Sequence, residues 1–161
     1  MSDDAGLHAL IAEIEKSMSV LARIEEYYAE YVTHSVDENS PTRENRIVIA
    51  EILANYYTCL ETIFLRISQY FENELSAERW HHDLLDKMTL SIEGVRPRVL
   101  SDESHAALRE IMRFRHFKRY YLEFEYDWDK LHFLRRKLDI ARPAVKRDLG
   151  QLLAQLRAAG E

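Results

Sequence analysis

The sequence predicts an all-α protein, an up-and-down bundle of five or six helices forming one domain over residues 1–161. Three observations carry that expectation. Glycine and proline are scarce, at four and three residues in 161. Apolar residues recur at spacings of three and four over long stretches, the period of one helix face. No segment alternates apolar and polar residues as a half-buried strand would. A hydrophobic share of 47% beside 31% charged residues is the composition of a chain that buries a core.

The first helix is predicted to start with Ser2 and Asp3 as caps and to run to about Val32. Leu7, Leu10, Ile11, Ile14, Met18, Leu21, Ile24, Tyr28 and Tyr31 form its stripe. The segment HSVDENSPTR interrupts it, and Ser40 with Pro41 suit the cap and first turn of a second helix, since proline lacks an amide hydrogen that would go unsatisfied there. That helix, about 42 to 73, has so wide an apolar face that it is expected to be central. A third, about 77 to 92, points Trp80, Leu84, Leu85, Met88 and Ile92 inward and stops at Gly94 and Pro97. Ser101, followed by Asp102 and Glu103, caps a fourth helix of about 102 to 124. Asp127 or Asp129 starts a fifth, which Pro143 is expected to break or kink before a last segment of about 144 to 158.

A formal net charge of −6 argues against a surface that coats nucleic acid. The one cysteine, Cys59, lies in the apolar run NYYTCLETIF, where it packs as a small hydrophobe, and it implies a reducing compartment. No run approaches the ~20 apolar residues of a membrane span, and the N-terminus MSDDAGLH is acidic where a signal peptide is basic. The expected location is cytoplasmic, with no membrane partner. Loops of the G-x-x-x-x-G-K-[ST], G-x-G-x-x-G and G-x-S-x-G types are absent, so nucleotide hydrolysis, dinucleotide-dependent chemistry and serine hydrolysis have no support.

Against this acidic background, one stretch is basic. In RFRHFKRYYLEFEYDW and the turn before it, Arg109, Arg113, Arg115, Lys118 and Arg119 surround His116 and are followed by Tyr120 and Tyr121. At about 100° per residue, Arg109, Arg113, His116 and Tyr120 fall within about 60° of one another. Leu108, Ile111, Phe114, Tyr121 and Leu122 cover the other side. Guanidinium forks hold phosphate oxygens in two places and imidazole moves a proton near neutral pH, so this composition suits phosphodiester chemistry without a metal. Basic residues on a helix also commonly do no more than solvate an exposed face. Arg115, about 120° from Arg109, faces the groove or a neighbouring helix or subunit.

Other clusters are weaker. His81, His82, Asp83 and Asp86 suggest a metal site, but only His82 and Asp86 share helical ligand spacing, and two ligands do not close a site; no metal and no cofactor is expected. Tyr27, Tyr28, Tyr31, Tyr56 and Tyr57 are expected to pack at helix interfaces, with base stacking as the alternative.

The run ANYYTCLETIFLRISQYF, followed by ERWHHDLLDKM, IEGVRPRVLSDE and RFRHFKRYYLEFEYDWDKL, resembles the HepT-like branch of the HEPN superfamily. The resemblance implies a helical, HEPN-like domain, a homodimer, a metal-independent endoribonuclease of toxin type, and a minimal nucleotidyltransferase antitoxin able to adenylylate a motif tyrosine. The family motif is R-x4-H-x-Y, with arginine and histidine as the catalytic pair. Laid on this chain, it places the arginine at Arg115, the histidine at Tyr120 and the tyrosine at Leu122, so two of three residues depart from it. A looser spacing is met by Arg109 and His116. Tyrosine ordinarily titrates near about 10, which makes Tyr120 a poor base at neutral pH.

Two functions follow. In one, the protein cleaves or binds RNA at a dimer seam. Arg109, Arg113, Arg115, Lys118 and Arg119 hold phosphate there, and His116, or Tyr120 in the motif position, transfers the proton. In the other, it is a catalytically inactive module that docks the cognate nucleotidyltransferase and is adenylylated, if at all, on Tyr120 or Tyr121.

Overall fold

The computed structural model describes residues 2–72 and 83–161, with side chains from residue 4 onward. Four long helices make the body: α1 (Ser2–Ser35), α2 (Arg43–Glu72), α3 (Asp102–Lys118) and α4 (Trp128–Ala159). A short helical segment at 83–87 joins them, and no strand is present among the described residues. The protein is an all-α bundle, as the spacing of its apolar residues requires.

Cross-helix contacts fix the directions. The Cys59 thiol donates to the Ser17 carbonyl and Asn45 to the Tyr31 hydroxyl, so α1 and α2 run antiparallel. Arg142 beside Glu25 and Arg135 on Glu38 set α4 antiparallel to α1, while Arg115 on Glu61 and Lys118 on Glu51 do the same for α3 and α2. α2 and α4 each pack on all three other helices, whereas α1 and α3 do not meet. Ile49, Leu53, Tyr56, Leu60, Phe64 and Ile67 of α2 and Leu131, Leu134, Leu138, Val145, Leu149 and Leu152 of α4 accordingly form the middle of the core. By length and composition α2 could cross a membrane, but 56% of its most apolar window is buried inside the bundle, so that apolarity is core surface.

Four expectations need correction. The cap of α2 is Thr42, not Ser40, because Thr42 and Asn45 exchange bonds of 3.0 Å between side chain and backbone, and Asn45 is further held by the Ser35 carbonyl. Gly94 and Pro97 do not end a helix reaching residue 92. The helical segment stops at 87, and Ile92 to Arg96 closes a turn with Gly94 at φ 75°. There Arg96, 4% exposed, donates to the carbonyls of Lys87 and Leu90 and pairs with Glu72. The first part of the predicted third helix, residues 77–82 with Trp80, lies outside the described residues. Pro143 neither breaks nor divides α4: it sits on the exposed side, while Ala141, Ala144 and Val145 are buried, so the amide it lacks is lost on the wet side and packing carries the helix through. Finally, the fourth predicted helix ends at Lys118, not near 124.

Candidate functional site

The start of α3 is clamped. Ser101 caps it by accepting from the Ser104 amide, and Asp148 of α4 accepts from the Ser101 amide (2.8 Å), the Ser101 hydroxyl (2.8 Å) and the Ser104 hydroxyl (2.6 Å). Burial alone would raise the Asp148 carboxyl, but these bonds outweigh it and hold the group below its ordinary value. One turn on, His105 lies 2.7 Å from Asp86 of the 83–87 segment.

From this fixed start, α3 turns Ala107, Leu108, Ile111 and Phe114 inward and leaves Arg109, Arg113 and His116 exposed. Those three share a face, as their spacing requires. Arg113 is within 3.5 Å of Glu110, and the His116 ring stands edge-on to Phe117 at 5.4 Å. Arg109 meets no carboxylate among the described residues.

Arg115 takes a different direction, and here the structure decides between the two open orientations. It reaches sideways to α2, where its guanidinium grips Glu61 through two bonds of 3.0 and 2.7 Å, touches the Thr58 hydroxyl and lies 4.8 Å over the Tyr57 ring. Lys118 does likewise, 2.8 Å from Glu51, and that bond raises its pKa. Three of the five basic residues in the strip therefore have their charge met by a carboxylate of this chain.

Tyr120 does not join the helical stripe. Two short turns follow Lys118, with the Tyr120 and Tyr121 amides bonded to the carbonyls of Phe117 and Lys118. Tyr121 stacks on Tyr126 at 4.9 Å and tilts against Phe114, and this packing takes the chain off the helical path. Tyr120 remains 64% exposed, with its hydroxyl accepting from Arg119 at 3.0 Å and the same guanidinium over its ring. Leu122 is 82% exposed.

The tyrosine expectation holds for Tyr28, Tyr56 and Tyr57, which are buried; burial raises the Tyr56 and Tyr57 hydroxyls above their ordinary value. Tyr31 is half-buried, and Tyr27 stays exposed while stacking on it at 6.1 Å. Cys59 is half-buried, and burial pushes its thiol up. His81 and His82 lie outside the described residues, and among those described no group of three or more potential metal ligands converges.

Sequence reasoning passed over Arg43 and Arg46, in the first turn of α2. Both line a cavity against the turn that follows α3. The available signal was R-x-x-R at a helix start, which puts two guanidiniums on one face.

Compared with known proteins, residues 48–156 match a family model described as HepT-like protein. No curated protein and no solved structure matches the chain.

Proposed function

The chain belongs to the HepT-like family, and from that premise we propose that it is a toxin–antitoxin component that works by docking and not by cleaving RNA. Its partner in this proposal is a cognate minimal nucleotidyltransferase. The observation that carries the proposal is the capture of Arg115 by Glu61. Arg115 occupies the motif arginine position, and a guanidinium spent on a bidentate carboxylate must break that pair before it can hold phosphate. The motif histidine and tyrosine positions carry Tyr120 and Leu122, neither of which is a general base suited to neutral pH. What the same segment offers is a surface: Phe117, Tyr120 and Leu122 are 55%, 64% and 82% exposed, with Arg119 beside them. Exposed apolar groups gathered with an aromatic and an arginine suit a protein interface. Tyr120 is also the better adenylyl acceptor of the two tyrosines, because Tyr121 is packed on Tyr126.

A competing reading is favoured by Arg109, Arg113 and His116 sharing one exposed face. In it a homodimer brings two such faces to an RNA strand, the arginines hold phosphate, and His116 moves the proton of the attacking 2′-hydroxyl.

Incubating the purified protein with RNA in EDTA separates the two. The docking proposal expects no cleavage by the folded protein. It also expects stable co-purification with a small nucleotidyltransferase encoded beside it, weakened at least tenfold by Leu122→Asp. Cleavage that disappears in His116→Ala would overturn it in favour of the nuclease.

A further inference from the structure

A cavity of about 540 Å³ opens where the start of α2 meets the turn between α3 and α4. We infer that it binds a nucleoside monophosphate group, with Arg43 and Arg46 on the phosphate, Tyr121 and Phe124 along the base, and Glu125 on the ribose hydroxyls. This goes beyond the docking proposal and shares no residue with the docking patch.

The charge pattern is the first reason. Arg43 donates to the Glu123 carbonyl and Arg46 to the Tyr126 carbonyl, and among the described residues neither guanidinium meets a carboxylate at ion-pair distance. The Nε of Arg46 is buried, with no hydrogen-bond partner among the described residues. The two arginines stand three residues apart on one helix face and both line the cavity, so a single anion there can reach both guanidiniums. Phosphate matches the guanidinium fork better than a spherical anion does.

The wall supplies the second reason. Tyr126 is 4% exposed and backs Tyr121, the two rings stacked at 4.9 Å. Phe124 lines the cavity while 53% exposed, and its backbone is held at φ 58°, a left-handed conformation that bulky residues seldom adopt. Such strain persists where surrounding structure over-determines it, and it concentrates at ligand sites. Flat aromatic surface beside an anion site selects a phosphate attached to a ring system.

Two carboxylates share the cavity. Asp127 is committed as the cap of α4, accepting from the Asp129 amide at 2.9 Å. Glu125 has no cation within ion-pair distance among the described residues, and it can accept hydroxyl donors. Two guanidiniums match the roughly two negative charges of a single phosphate group and leave none over for a second, which is why one phosphate is assigned to the site. The volume suits a mononucleotide, since ligand cavities run from about 300 to 1,000 Å³.

A free mononucleotide and the 5′-phosphorylated end of an RNA strand both present this group. Titrating the full chain with AMP, a 5′-phosphorylated dinucleotide and inorganic phosphate, followed by calorimetry, tests the site. AMP or the dinucleotide should bind at least tenfold tighter than inorganic phosphate, Arg43→Gln and Phe124→Ala should each weaken that ligand about tenfold, and Arg66→Gln, at an exposed arginine of α2 paired with Glu13, should leave it unchanged. Preference for AMP assigns the free nucleotide and preference for the dinucleotide assigns the strand end; either supports the site. It is overturned if neither binds tighter than inorganic phosphate, if Arg43→Gln and Phe124→Ala bind as the parent does, or if Arg66→Gln is equally damaging. Arg43 is exposed, so its variant keeps the test valid even where Arg46→Gln impairs folding.

Discussion

Arg115 near the end of α3 and Arg46 at the start of α2 are both half-buried arginines beside tyrosines, yet they end in opposite electrostatic states. Arg115 spends its charge on Glu61 and its flat face on Tyr57, and so works as a tie between α3 and α2. Among the described residues Arg46 finds only the Tyr126 carbonyl, and its Nε has no partner. Basic density in the sequence is therefore a poor guide to where positive charge is available. Most of the visible strip along α3 is neutralised by acidic residues of α2 and of α3 itself, while the sparser pair at the start of α2 meets no carboxylate at ion-pair distance among the described residues.

α3 is a strut clamped at its start by Asp148, and the largest effect is expected at that anchor. Asp148→Ala leaves the Ser101 amide and two hydroxyls without their acceptor, and should cost about 3 kcal/mol, seen as a melting temperature lower by roughly 6–12 °C. The pH dependence has a definite sign. The folded-state pKa of Asp148 is lowered, so its contribution is complete above about pH 5 and disappears as pH falls through the folded value. An Asp148→Ala protein should accordingly lose part of the parent's acid sensitivity. Acid melts that superimpose after correction for the neutral-pH offset would mean that the clamp is not ionic.

Next comes the tie itself. Arg115→Ala leaves Glu61, whose side chain is 15% exposed, without a counter-charge and should cost about 2 kcal/mol. If instead the melting temperature moved by less than about 1 °C, the contrast between the two arginines would collapse, and Arg115 would return to the list of phosphate ligands.

The smallest effects belong to the outer pairs. Lys118→Ala and Arg113→Ala each remove a partly exposed ion pair and should cost about 0.5 kcal/mol, less at high salt. A loss several times larger for Lys118 would show that its bond to Glu51 belongs to the same tie as Arg115.

Helix content, the central place of α2, the Ser101 cap, a start of α4 at Asp127 or Asp129 and the exposed face of Arg109, Arg113 and His116 were all legible in the sequence, because each depends on periodicity or on one residue's local hydrogen bonding. The passage of α4 through Pro143 was not, since exposure on one side and packing on the other decide whether a missing amide matters. Nor was the end of α3. The apolar period continues through Tyr121 and Leu122, but the helix ends at Lys118 and Tyr121 stacks on Tyr126, a contact no local signal such as glycine or proline announces.

By itself the sequence determined the extents of α1 and α2 to within about a turn, the start of α3, the buried faces of the long helices, and the departure of Tyr120 and Leu122 from the family motif. Only the tertiary structure decided which charges are available. An ion pair such as Arg115 with Glu61 joins residues 54 apart in sequence, and the balance between a guanidinium's partner and its desolvation depends on distance and burial, neither of which one-dimensional spacing contains.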